Sequence, residues 1–248
     1  MLFRSVGTRF LSDGNEGRVE LVQKEREGWQ GAVGFQALER HFQAIGDEAF
    51  VPSTDIKEYG IFTLQRLDKG NWGLDAGLRF DSRELKTDFT KRSFDNVSGS
   101  LGLFYKPADK QFVALTLSRN GRAPTEFELF ADGPHPGTGG YEVGDATLKS
   151  EKVTSLEATY RYTGERLRLE GHLWGARYNG FIEEKPTGAV EDGLPVFQYF
   201  QTDAKFHGAE AEASYTAWSD GDKALKLEGV YDWVRGSTDL GIPARVPS

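Results

Sequence analysis

Five side chains able to ligate a metal or move a proton fall in one stretch of the 248-residue sequence: Asp132, His135, Tyr141, Glu142 and Asp145. Carboxylate and imidazole donors of this kind suit zinc or a similar divalent ion. Pro134, Pro136, Gly137, Gly139 and Gly140 run through the same stretch. A second reading therefore gives Glu142 and Asp145 the plainer task of hydrogen-bonding the backbone of a shaped loop. Spacing alone does not choose between the two. The other histidines, His41 near Asp47 and Glu48, His172 and His207, read as ordinary side chains on strands or rims.

Other chemistry is narrowed by what the sequence lacks. With no cysteine there are no disulfides, no Cys-ligated zinc or iron–sulfur cluster and no thiol nucleophile. Neither GxGxxG, a P-loop, HExxH nor GxSxG occurs, and paired acids such as Glu210 and Glu212 suit a hydrated wall as well as a glycosidase. An enzyme is not expected. Against 30 Lys and Arg stand 38 Asp and Glu, a formal charge of −8, which leaves no basic field for nucleic acid. No window approaches 18 consecutive apolar residues, which rules out a transmembrane helix and leaves a membrane β-barrel open. The opening MLFRSVGTRFL does not read as a signal peptide.

The elements that must position the candidate loop are strands. Trp72, Leu74, Ala76, Leu78 and Phe80 alternate with Asp75, Arg79 and Asp81, the period of a half-buried strand. Similar alternation places Leu103, Leu115, Leu156, Leu225 and Leu227 on one face and Glu157, Arg161, Glu210 and Glu228 on the other. The pattern predicts roughly eleven strands, at 2–11, 18–26, 31–42, 55–67, 71–83, 94–106, 110–121, 150–163, 165–183, 197–218 and 222–235. Such lengths exceed what a sandwich needs and suit a tilted membrane-spanning ribbon. Tight turns at Glu27-Gly28, Asp68-Lys69-Gly70, Pro107-Ala108-Asp109, Gly164-Glu165 and Ser219-Asp220-Gly221 alternate with longer links at 43–54, 84–93, 122–149 and 184–196. An up-and-down outer-membrane barrel, with short turns at one rim and long loops at the other, produces this alternation. The expected fold is therefore all-β, an antiparallel meander with leucines facing outward and charges facing a wet lumen.

Residues 118–162 carry a more specific signature: Arg122-Ala123-Pro124-Thr125, Glu128-Leu129-Phe130, Tyr141-Glu142-Val143-Gly144-Asp145, Leu148, Glu151 and Glu157, in that order. Tyr178-Asn179-Gly180-Phe181-Ile182, Gln201-Thr202-Asp203-Ala204 with Gly208-Ala209-Glu210, and Ile242-Pro243-Ala244-Arg245 extend it over nearly the whole chain. As a set this resembles the barrel of TonB-dependent outer-membrane receptors. The resemblance implies a barrel of about 22 strands, of which residues 1–248 read as a middle segment without the plug domain and last strands. It also implies an outer-membrane location in a Gram-negative bacterium, and energy-coupled uptake of a scarce nutrient through TonB, the inner-membrane partner engaged by a plug. The Gly-Pro-His form of the loop is similar to the zinc-uptake branch, which makes His135, with Asp132 or Glu142, the expected contact for zinc or a metal complex carried as substrate rather than held as a cofactor. The competing expectation is a soluble β-rich binding or hydrolytic module with a polar cleft.

Overall fold

The computed structural model describes residues 7–135 and 137–241. Ten long strands form an antiparallel meander: β1 (Arg9–Arg26), β2 (Trp29–Ile45), β3 (Thr54–Asp68), β4 (Trp72–Lys86), β5 (Lys91–Ala108), β6 (Gln111–Arg122), β9 (Glu151–Thr163), β10 (Leu167–Glu191), β11 (Leu194–Asp220) and β12 (Lys223–Thr238). Each of these pairs with the next long strand in sequence. Between β6 and β9 lie the helix α1 (Glu126–Phe130) and two short strands, β7 (Asp132–His135) and β8 (Gly140–Val143). β8 departs from the meander, running parallel to β11 at Val196 to Gln198.

Turn chemistry explains the rims. Glu27 and Gly28 both take positive φ, at 54° and 80°, the conformation that matches a two-residue hairpin to the twist of its strands. The same geometry recurs at Asp192 and Gly193, with φ of 51° and 77°, in the middle of the expected 184–196 link. That link is therefore mostly strand, a protruding hairpin of β10 and β11. The expected 84–93 link likewise contracts to residues 87–90, where Thr87 N donates to Thr90 O at 2.9 Å. Length at this rim comes as often from strand extension as from loop, so the contrast between short and long connections is less strict than the sequence pattern predicts. The expected break at 12–17 is absent as well: Gly14 and Gly17 stay paired opposite Arg40 and Ala37, because pairing with β2 overrides the turn preference of Ser12-Asp13-Gly14-Asn15. Residues 2–6 of the first expected strand, and Ile242-Pro243-Ala244-Arg245, lie outside the described residues.

Side chains sort by face as the alternation predicts. Leu78, Leu103, Leu115, Leu156, Leu225 and Leu227 are each 49–57% exposed. Cross-strand register links the outward apolar positions into a belt: Ile61 beside Phe80, Leu101 beside Leu117, Leu117 beside Leu156, and Leu173 between Ala158 and Ala209. Trp29, Trp72, Tyr105, Tyr160 and Tyr215 stand at its tight-turn end, where aromatic rings sit at a bilayer interface. The opposite face carries ion pairs such as Arg79–Asp81 and Arg161–Glu170, together with Arg18 and Arg79 near the Phe62 ring. A soluble module would bury those leucines.

This polarity sets a stability test in the intact receptor. Leu115→Arg, in the middle of the outward belt, is expected to cost about 2–4 kcal/mol in lipid, whereas Thr116→Arg, on the charged face, is nearly neutral. Urea unfolding in lipid bilayers measures both, and equal costs would remove the lipid-facing assignment.

Candidate functional site

Residues 123–150 fold inward over the charged face at the rim opposite the tight turns. Their first element is local: Thr125 Oγ1 accepts from Glu128 N at 3.3 Å, and Glu128 Oε2 accepts from Thr125 N at 2.7 Å. This reciprocal cap starts the five-residue α1, which would be too short to persist without tertiary contacts. Those contacts are apolar and ionic. Leu129, Phe130, Ala123 and Leu148 bury against Ile56, Leu85, Phe94 and Ile182 from the strands, with about 1.5–3 kcal/mol expected for each large side chain fully removed from water. Beside them the Glu126 carboxylate, 5% exposed, accepts from Arg40 at 2.8 Å and Arg83 at 3.4 Å, while Arg83 also meets Glu58 at 3.1 Å.

Most residues of the sequence signature tie this insert down. Arg122 reaches Glu128 at 2.8 Å and Glu151 at 3.4 Å, and Glu151 in turn accepts from Ile182 N at 2.9 Å. A Cβ on Gly144 would lie 2.7 Å from the α1 backbone. Asp145 accepts from Thr147 N at 2.7 Å, the loop-shaping role weighed for it. Gln201 donates to the carbonyls of Lys149 and Gly180, both at 2.8 Å, and its side-chain oxygen accepts from Lys149 N. Arg92 donates to Leu148 O at 2.8 Å.

The candidate ligands sit on the β7–β8 ribbon, which its register divides in two. Gly133 opposes Glu142 and His135 opposes Gly140, so His135 and Glu142 share one face, while Asp132 and Tyr141 lie on the other. His135 Nδ1 is 2.6 Å from Glu142 Oε1, and Thr138 Oγ1 donates to the same oxygen at 2.9 Å. Glu142 is 3% exposed and His135 27%. Phe50, from the β2–β3 connection, stacks on the imidazole with centroids 4.5 Å apart. With Nδ1 committed to the carboxylate, Nε2 is the ring nitrogen left for a ligand; it faces Gly137, where a Cβ would come within 3.2 Å of it. Asp132 instead accepts from the Tyr141 hydroxyl at 3.1 Å. Among the described residues no three His, Asp or Glu side chains converge as a metal site. The structure thus joins His135 with Glu142 and leaves Asp132 apart.

Sequence reasoning missed Phe50, Thr138 and Tyr199, the last of which hydrogen-bonds Glu142 and is held protonated chiefly by burial, then by neighbouring carboxylates. Thr138 was within reach as a hydroxyl four residues before Glu142. Tyr199 and Phe50 were not, since they arrive from remote segments through β8–β11 pairing and the hydrogen bond from Asp132 N to Phe50 O at 2.7 Å.

Two outcomes follow from this geometry. Glu126→Ala leaves Arg40 without its carboxylate, and the insert should lose about 3 kcal/mol of local stability, the low end for a broken buried pair because Arg40 is one-third exposed. Faster hydrogen exchange across 123–150, with the outward strands unchanged, checks it. Tyr141 has its pKa raised from 10.0 to about 12 by burial and then by its bond to Asp132. Its contribution is fully present below pH 10 and is lost as pH rises toward 12. Tyrosinate absorbance should show one group fewer titrating near pH 12 in Tyr141→Phe; an unchanged titration in that range would show that the Tyr141 hydroxyl is not held protonated there.

Comparison with known proteins places this arrangement. The family model described as TonB dependent receptor-like, beta-barrel, matches residues 6–247. Among solved structures, the copper transporter OprC is 18% identical with a TM-score of 0.80, over 95% of this chain and 40% of its own. The FrpB iron transporter of Neisseria meningitidis is 17% identical with a TM-score of 0.66, over 93% and 36%. The alcaligin receptor FauA of Bordetella pertussis is 17% identical with a TM-score of 0.60, over 96% and 41%. The chain thus spans well under half the length of these three. A matched family model over nearly its whole length, with apolar side chains outward and an ordered insert on the charged face, shows that the chain belongs to the TonB-dependent receptor β-barrel family, whose members are outer-membrane proteins and transporters rather than enzymes.

Proposed function

We propose that the chain forms the middle part of a receptor barrel of about 22 strands that imports a metal or metal complex across the outer membrane, with TonB acting through a plug domain. The observation that carries the reading is the His135–Glu142 pair, held 2.6 Å apart on an insert clamped to the charged face. Structurally similar proteins named as copper and iron transporters and as an alcaligin receptor support the substrate class. Zinc is the cargo we favour, because the Gly-Pro-His loop resembles the zinc-uptake branch and an imidazole beside a carboxylate is a donor set zinc accepts. Asp132, on the opposite face of the ribbon, would take part only if the ribbon turned or a second ion bound there. The outer edges of β1 and β12 are where the remaining wall would join, since an open edge is not tolerated in lipid.

The test is His135→Ala in the full-length receptor, measured by zinc binding and by growth under zinc limitation, with copper and a ferric siderophore as parallel probes. Loss of a ligand should weaken binding of the true cargo by tenfold or more and slow growth on that nutrient alone. Unchanged affinity and growth for every probe would leave His135 a structural residue of the loop.

A further inference from the structure

Charge is distributed unevenly on the outward wall just beyond the apolar belt, on the side away from the tight turns. On β2 to β5 most cations are neutralised locally: Lys57 meets Glu39 at 3.2 Å, His41 meets Asp55 at 2.6 Å and Lys91 meets Glu84 at 2.7 Å, while Lys86, opposite Asp55 and Lys91 in register, is the one at this level without an ion pair among the described residues. On β6 and β9 to β12 the same level holds Arg119, Lys152, Arg177, Lys205 and Arg235, all exposed. None of these is ion-paired with a carboxylate of the described residues; the one carboxylate at their level, Asp203, accepts from Asn179 Nδ2 at 3.3 Å and Gly180 N at 2.9 Å. In a chain of net charge −8, five unpaired cations on one patch call for a ligand.

Register shows that the patch is continuous. Arg119 opposes Thr154, Thr154 opposes Arg177 and Arg177 opposes Lys205; Lys152 opposes Asn179, and Arg235 opposes His207. Adjacent strands lie about 4.8 Å apart, so Arg119 and Lys205 are separated by about 15 Å. The outward positions just below, among them Leu117, Leu156, Leu173, Ala209 and Trp233, belong to the apolar belt. The Arg235 guanidinium lies 5.7 Å from the Trp233 ring, a pairing of cation and indole suited to a lipid interface. With tight turns at the periplasmic rim, the patch is level with the headgroups of the outer leaflet.

We propose that this patch binds the phosphate groups of a phosphorylated glycolipid in that leaflet. Guanidinium and ammonium groups together match phosphate oxygens, the belt beneath offers a surface for acyl chains, and Thr154, Asn179 and His207 add polar contacts between the cations. A soluble anion would use only the charges; a lipid uses both charges and belt. The proposal rests on the outer-membrane barrel assignment and is independent of which nutrient the receptor carries.

The experiment titrates the detergent-purified, full-length receptor with bis-phosphorylated lipid A and with its dephosphorylated counterpart, scoring bound lipid by native mass spectrometry. Phosphorylated lipid should bind preferentially. Arg177→Gln with Lys205→Gln should weaken it about 30-fold, as expected for two cations removed from an anionic lipid surface, while Arg177→Lys with Lys205→Arg retains binding. Lys57→Gln with Lys91→Gln, on the charge-paired wall, should change it little. Heat-modifiable migration reports barrel integrity; if the double variant fails to fold, Arg119→Gln and Lys152→Gln singly are each expected to lower affinity about fivefold. Equal binding of the two lipids, no loss in the glutamine variants, or an equal loss in the charge-paired control would overturn the proposal.

Discussion

Backbone amides crossing hydrocarbon have no water to pair with, and the arrangement of this chain follows from satisfying them between strands. That requirement fixes each long strand beside its sequence neighbour. Once the ladder is set, strict alternation leaves one row of side chains facing out and one facing in, so a single-residue slip would exchange Leu115 for Thr116 across the wall. The same constraint tolerates Gly14, Gly17 and Asn15 inside β1, since losing the cross-strand bonds would cost more than the poor strand preference of these residues.

Inside the wall the logic changes from backbone pairing to side-chain clamping. The β6–β9 connection crosses water-accessible space and gets little order from its own five-residue helix. Its order comes from Glu126 held by arginines of two strands, from leucine and phenylalanine burial, and from Gln201 satisfying carbonyls on two segments. A half-satisfied network of this kind would be worse than none. Arg122, Glu128, Gly144 and Glu151 of the signature thus have an architectural role here: Arg122 bridges Glu128 and Glu151, Glu151 accepts from Ile182 N, and Gly144 leaves room for the α1 backbone.

Much of this was legible from the sequence, and the rest was not for identifiable reasons. Alternation around Leu74 to Phe80 exposed both faces of β4, and Glu27-Gly28 announced its hairpin through residues that accept positive φ. Asp192-Gly193 carried an equally clear signal, obscured by the length of polar chain around it. The turn-like Ser12 to Gly17 stretch misled because local preference lost to pairing with β2. At the site, the juxtaposition of His135 and Glu142 followed from a short ribbon, but Phe50 meets His135, Arg40 meets Glu126 (86 positions apart) and Tyr199 meets Glu142 only because tertiary pairing, not spacing, delivers them.

The donor count at the ribbon bears on what kind of cargo it suits. A bare zinc ion asks for about four donors, whereas the His135–Glu142 face offers an imidazole and a carboxylate already bonded to each other and to Thr138. Binding the ion directly would mean breaking the hydrogen bonds that compensate the buried Glu142 carboxylate, or recruiting donors from other segments. An ion that arrives already chelated asks for less: one nitrogen or one hydrogen bond, presented on a rigid backing. Phe50, stacked on the ring with its own side chain buried at 1% exposure, supplies that backing and restricts the imidazole to one orientation. If the ribbon meets cargo as proposed, its geometry is better matched to recognising a metal complex than to stripping and enclosing a free ion.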